Sequence, residues 1–192
     1  MVRPVELGPC GGYVWEGDPA RVVIALPGAL LGGMPSLAFP LYALVARRWS
    51  AVQVWDERRD RSGDATEWVR ARAEAAFAAA GAPATVLVLA KSLSTRAAAL
   101  AAERSWPAIW LTPLLDDEES VAGLRARRAP ALLVGGTADS TWDGDLAREL
   151  SDDVLELPGA DHSVGAGGDP RVLLANLGVV VERVESFAAA LA

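Results

Sequence analysis

Three apolar runs in this chain each lead to a different reactive side chain. TVLVLA (85–90) precedes Ser92, ALLVGG (131–136) precedes Asp139, and DVLELPGA (153–160) precedes Asp161 and then His162. His162 is the only histidine, so any imidazole chemistry must run through it. A serine hydroxyl is a poor nucleophile until a base within hydrogen-bond reach removes its proton. Histidine suits that task because its unperturbed pKa, about 6.5, lies near neutral pH. Serine, then aspartate, then histidine at successive strand ends is the order that nucleophilic attack from a parallel sheet requires.

Each of these residues has a plainer reading. Ser92 sits in TVLVLAKSLSTRAAALAA, a strand, a tight turn at Lys91-Ser92-Leu93 and a helix expected from about Leu93. Small residues, Ala90 and Ser94, flank the turn, as a strained nucleophile-bearing elbow demands. The plainer reading makes Ser92 a helix N-cap, although Ser94 and Thr95 are also at hand for that task. Lys91-Ser92 also resembles the end of a phosphate loop, but that pattern needs glycine where Thr85 and Ala90 stand. His162 lies in a polar, glycine-rich loop, PGADHSVGAGG, and not on an apolar helix face where a structural histidine would be expected.

The elements that must position these residues alternate. RVVIALP (21–27), AVQVW (51–55), TVLVLA (85–90), PAIWLT (107–112), ALLVGG (131–136) and DVLELP (153–158) read as strands. Between and after them lie helical patterns near 35–48, 65–80, 93 onward, 117–128, 142–150 and 171–190. Strand-helix alternation implies crossover connections, and so a mostly parallel, doubly wound α/β sheet with helices on both faces. The strands read as continuous apolar runs rather than alternating ones, as expected when both faces are covered. In the last helix Leu173, Leu177, Val180, Val184, Phe187 and Leu191 form one stripe. Val2–Leu7 and Tyr13–Trp15 are expected to form an antiparallel edge hairpin. Ligands of such sheets bind in loops at the carboxyl ends of the strands, where every candidate lies.

Composition bounds the rest. A length of 192 residues, 52% hydrophobic and 22% charged, suits one globular domain spanning 1–192. A net charge of -7 argues against nucleic acid or an anionic membrane as partner. The single cysteine, Cys10 in GPCGG, excludes an internal disulfide and fits a reducing compartment. The N-terminal MVRPVELGPCGG lacks an apolar run long enough for a secretion signal. No stretch approaches the roughly 18 apolar residues of a membrane span. A soluble cytoplasmic protein is expected.

AKSLST, GTADSTWD and GADHSV resemble the three catalytic segments of the α/β-hydrolase family, above all its small, lid-less bacterial members of dienelactone-hydrolase-like and carboxylesterase-like type. The resemblance runs from about residue 20 to the end. It implies a minimal α/β-hydrolase fold with Ser92 as nucleophile, His162 as general base and Asp139 as the orienting acid. It also implies an oxyanion hole from the backbone N–H groups of Ala29, in LPGALLGG, and Leu93. The chain departs from the family's G-x-S-x-G, which appears here as Ala90-Lys91-Ser92-Leu93-Ser94.

Other acids compete with Asp139. Asp143 stands three residues after Ser140, as in a helix capping box. Asp161 adjoins His162, and adjacent side chains in a short loop seldom face each other. Asp116, after PAIWLT, is the main alternative, because some hydrolases of this class take the acid from that loop. Asp139 is favoured by its place in a short loop after a buried strand. Lys91 is expected to pair with Asp116 or Asp117 and is assigned no catalytic part. Trp110 and Trp142 are expected to close the core under the loops, or else to wall an acyl pocket. A dinucleotide site is disfavoured because Gly28, Gly32 and Gly33 do not match G-x-G-x-x-G, and Asp56 lies well past the ~20-residue spacing expected.

The resemblance thus implies a serine hydrolase acting on a small-molecule ester, thioester or similarly activated acyl substrate. No cofactor or metal is called for. The loop TPLLDDEES is too short for a lid domain. The alternative is a non-catalytic module of the same fold that binds a ligand or a partner protein.

Overall fold

The computed structural model describes residues 1–8, 10–29, 33–55, 63–81 and 83–191. Gly32 and Asp56, weighed above for a dinucleotide site, lie outside the described residues. Among those described, eight strands form one sheet in the order β1-β2-β4-β3-β5-β6-β7-β8. They are β1 (Val2–Glu6), β2 (Gly11–Trp15), β3 (Asp18–Leu26), β4 (Trp49–Trp55), β5 (Thr85–Lys91), β6 (Ala108–Leu111), β7 (Ala131–Gly136) and β8 (Asp153–Leu157). The first two form the expected antiparallel edge hairpin, β2 joins β4 antiparallel, and every later pairing is parallel.

The helices are α1 (Pro35–Ala46), α2 (Ala65–Ala79), α3 (Ala98–Arg104), α4 (Glu118–Arg125), α5 (Gly144–Leu150) and α6 (Pro170–Ala189). Side-chain alternation along β3 shows how they divide. Val22, Ile24 and Leu26 point to the core shared with α2 to α5, where Val69, Leu100, Leu124 and Leu150 pack. Val23 and Ala25 point to the opposite core, shared with Leu37 and Leu41 of α1 and Val180, Val184 and Phe187 of α6. Both faces of the central strands β3 to β7 are largely buried, which is why these strands carry apolar residues at consecutive positions. Residues 112–117 run directly from β6 to α4, with no room for an inserted lid. No helix among the described residues is long and apolar enough to cross a membrane.

Two elements differ from expectation. The helix after Ser92 opens as a 3₁₀ turn over Ser92–Ala97 before α3 begins. Its Ser94 hydroxyl donates across to Pro27 O at 2.5 Å, and its Thr95 hydroxyl donates to Ser92 O at 2.6 Å, a local bond that competes with regular helix formation. The capping box expected of Ser140 and Asp143 is instead a direct N-cap by Asp143, whose carboxylate accepts from Asp145 N and Leu146 N.

Candidate active site

The parallel registers bring five strand ends level. Leu26 pairs with Ala90, Lys91 with Leu111, Leu111 with Val134, and Gly136 with Leu157. The residues just beyond those ends therefore share one rim of the sheet.

Ser92 takes φ +51°, a left-handed conformation that costs a non-glycine residue of order 1–3 kcal/mol. Its hydroxyl does not cap the following turn, whose N-cap position is Lys91 with no side-chain hydrogen bond. It lies instead 2.7 Å from His162 Nε2. Ala90 and Ser94, buried beside it, meet the elbow's need for small neighbours.

His162 reaches the rim on the loop after β8. Asp161 N donates to Gly165 O and Val164 N to Asp161 O, while Asn176 of α6 donates to Val164 O. Val164 is buried and takes φ +73°, unusual for a β-branched residue. His162 Nδ1 meets Asp139 Oδ2 at 2.7 Å. An ionised carboxylate can only accept, so the neutral ring's proton belongs on Nδ1 and Nε2 is left to accept from the Ser92 hydroxyl. The His162 side chain is 41% exposed and that of Asp139 only 1%, so the imidazole is open while the carboxylate is sealed behind it.

Asp139 sits in the β7–α5 turn, held by Asp139 N to Gly136 O and Trp142 N to Asp139 O. Thr141 donates to Asp139 Oδ1 from its main-chain N–H at 3.0 Å and its hydroxyl at 2.9 Å. Burial pushes the Asp139 carboxyl pKa up, but the bonds from His162 and Thr141 and the nearby imidazole together hold it below its ordinary value. Asp116 is exposed on the β6–α4 loop. Asp161 is engaged by the main-chain N–H and hydroxyl of Ser163.

The two residues expected to offer backbone N–H groups flank the elbow. Leu93 follows Ser92 in the first 3₁₀ turn, where N–H groups lack partners within the helix. Ala29 follows Gly28, and a methyl group built on Gly28 would sit 3.4 Å from Ser92 Cβ, so this backbone passes close over Ser92.

Lys91 corrects an expectation. It pairs with neither Asp116 nor Asp117; its Nζ donates to Thr112 Oγ1 at 2.6 Å and to His162 O at 2.8 Å. Asp117 caps α4 and accepts from Arg96. Trp110 is buried in the core, and Trp142 covers Gly135 while donating to Glu156. Thr141 and Thr112 escaped the sequence reading. Thr141 carried a signal, since an aspartate followed two residues later by a hydroxyl residue is an Asx-turn pattern.

Among the described residues no cluster of three or more His, Cys, Asp or Glu side chains is arranged to hold a metal. A groove between α1 and α6, lined by Arg21, Leu44, Arg47, Trp49 and Glu185, lies at the opposite ends of the strands from Ser92. Its arginines are already paired, Arg21 with Asp18 and Arg47 with Glu185.

No protein-family model matches the chain, and no curated protein sequence matches it. Solved structures do. A dienelactone hydrolase from Anabaena variabilis superposes with a TM-score of 0.71 at 17% identity, over 97% of this chain and 96% of that one. Est1E from Butyrivibrio proteoclasticus, solved with ferulic acid bound, gives 0.75 at 11% identity over 98% of each chain. An alpha-beta serine hydrolase homologue from Coxiella burnetii gives 0.64 at 13% identity, over 95% and 96%. The chain has the α/β-hydrolase fold.

Proposed function

We propose that the protein is a serine hydrolase acting on an ester, thioester or similarly activated acyl group, with Ser92 as nucleophile, His162 as base and Asp139 as orienting acid. One observation carries this reading: the unbroken chain of hydrogen bonds from Ser92 Oγ through His162 to Asp139, 2.7 Å at each step. The strained backbone at Ser92 supports it, because an ordinary cap has no need of φ +51°.

In this reading Ser92 Oγ attacks the acyl carbonyl as His162 Nε2 takes its proton. The backbone N–H groups of Ala29 and Leu93 receive the oxyanion, where losing one donor typically costs ~10²–10³ in rate. The intermediate collapses as His162 returns the proton to the departing alcohol or thiol. Water, activated by the same imidazole, then attacks the acyl-enzyme and releases the carboxylic acid and free Ser92. The buried Asp139 steadies the imidazolium in both halves.

A fluorophosphonate probe tests the proposal. Wild type is expected to be labelled at Ser92, and Ser92→Ala to stay blank. A folded wild type that resists labelling overturns the hydrolase reading in favour of a non-catalytic binding module.

A further inference from the structure

The sole lysine of the chain is buried, 4% exposed, immediately before the proposed nucleophile. Neither of its two hydrogen-bond acceptors, Thr112 Oγ1 and His162 O, is a carboxylate. The charges acting on it come from Asp139 and Asp161. Burying an ammonium is costly, and an apolar side chain of similar volume would avoid the cost. What the lysine adds is a bridge. Its main chain belongs to the end of β5, Thr112 stands just past β6 with φ +43°, and His162 belongs to the loop after β8. Ser92 and His162 are thus joined twice, by the hydroxyl–imidazole bond in front and by the lysine behind.

We propose that Lys91 is a positioning residue that pins the main chain of His162 to the elbow, holding the half-exposed imidazole at hydrogen-bond distance from Ser92. This rests on the reading of Ser92 and His162 as nucleophile and base. Lys91 needs no contact with substrate to matter, since a displacement of about 1 Å between reacting groups can cost ~10² in rate. Burial lowers its pKa to about 8. The neutral amine still carries two N–H groups for its two acceptors, so the bridge outlasts the charge.

The test uses Lys91→Met, which keeps the length of the stem and removes the donor, together with Thr112→Ala and the double variant. On a short-chain p-nitrophenyl ester, Lys91→Met is expected to lower kcat by ~10–100-fold, with KM unchanged and melting temperature unchanged or raised. Thr112→Ala should cost less, and should cost nothing further once Lys91 is gone. A Lys91→Met protein with wild-type kcat, or one whose kcat falls only in proportion to the fraction unfolded, overturns the proposal. Equal losses from Thr112→Ala in both backgrounds overturn it too. A second readout does not depend on turnover. As the only imidazole, His162 should show one far-downfield Nδ1 proton resonance, sharp in wild type and broadened or lost in Lys91→Met. If wild type turns over no ester and resists the fluorophosphonate yet shows this dependence, the hydrolase reading fails and the positioning role stands. If the resonance is absent from wild type or unchanged in Lys91→Met, the positioning role fails.

Discussion

Thr141 occupies one oxygen of Asp139 completely: its main-chain N–H and its hydroxyl both bind Oδ1, at 3.0 and 2.9 Å. The other oxygen, Oδ2, is thereby turned toward His162 Nδ1. A carboxylate held at both oxygens in this way is restrained from turning away from the ring.

Replacing that carboxylate should be severe. Amide replacement of the orienting acid in a well-studied serine protease costs ~10⁴ in turnover because the wrong imidazole tautomer results. Asp139→Asn is expected to lose ~10³–10⁴ of kcat on the same terms. Asp116→Asn, on an exposed loop position, should leave kcat unchanged. Ester hydrolysis by the purified variants checks this, and equal, mild losses would remove Asp139 from the triad.

Lys91 should leave a signature in stability as well as in rate. Its pKa is lowered from the ordinary 10.5 to about 8, chiefly by burial, with Asp139 and Asp161 pulling partly the other way. Between those two values the unfolded chain binds the proton that the folded chain has released, so stability rises with pH across that window. At 1.36 kcal/mol per pKa unit the full effect is about 3 kcal/mol. Urea unfolding of wild type and Lys91→Met, from pH 7 to pH 10.5, should show wild type gaining on the variant as pH rises. A difference that is flat or shrinks with pH contradicts the buried ammonium.

Ser94 stands where the family's elbow has glycine, and its hydroxyl binds Pro27 O at 2.5 Å. Ser94→Gly restores the common pattern but leaves that buried carbonyl without its donor and loosens the unfolded chain. The two effects together should cost about 2 kcal/mol. For a chain of this size that lowers the melting temperature by about 4–8 °C, with activity at 25 °C retained. Calorimetry showing a higher melting point would refute a stabilising role for the hydroxyl.

Much of this architecture is legible in the residues alone. Runs such as TVLVLA and ALLVGG are almost continuously apolar because α-helices cover both sides of the sheet, and together with the strand-helix alternation that implies parallel strands. The meeting of Ser92, Asp139 and His162 follows from their shared placement just past strand ends. The partners of Lys91 do not follow. A lysine near Asp116 and Asp117 suggests an ion pair, yet its stem runs across the end of β6 to a hydroxyl and a main-chain carbonyl, groups every loop possesses and no pattern marks. The 3₁₀ opening after Ser92 was equally hidden, because it depends on hydroxyls finding Pro27 O and Ser92 O.

The bend at Ser92 places its whole conformational burden on one residue, since only Ser92 adopts the left-handed geometry while the positions two away merely have to be narrow. Narrowness is a matter of volume and glycine is only one way to achieve it. With alanine on one side and a tethered serine on the other, shape and letter pattern part company, and lineages keeping this bend can drift in alphabet while the contour of the turn endures.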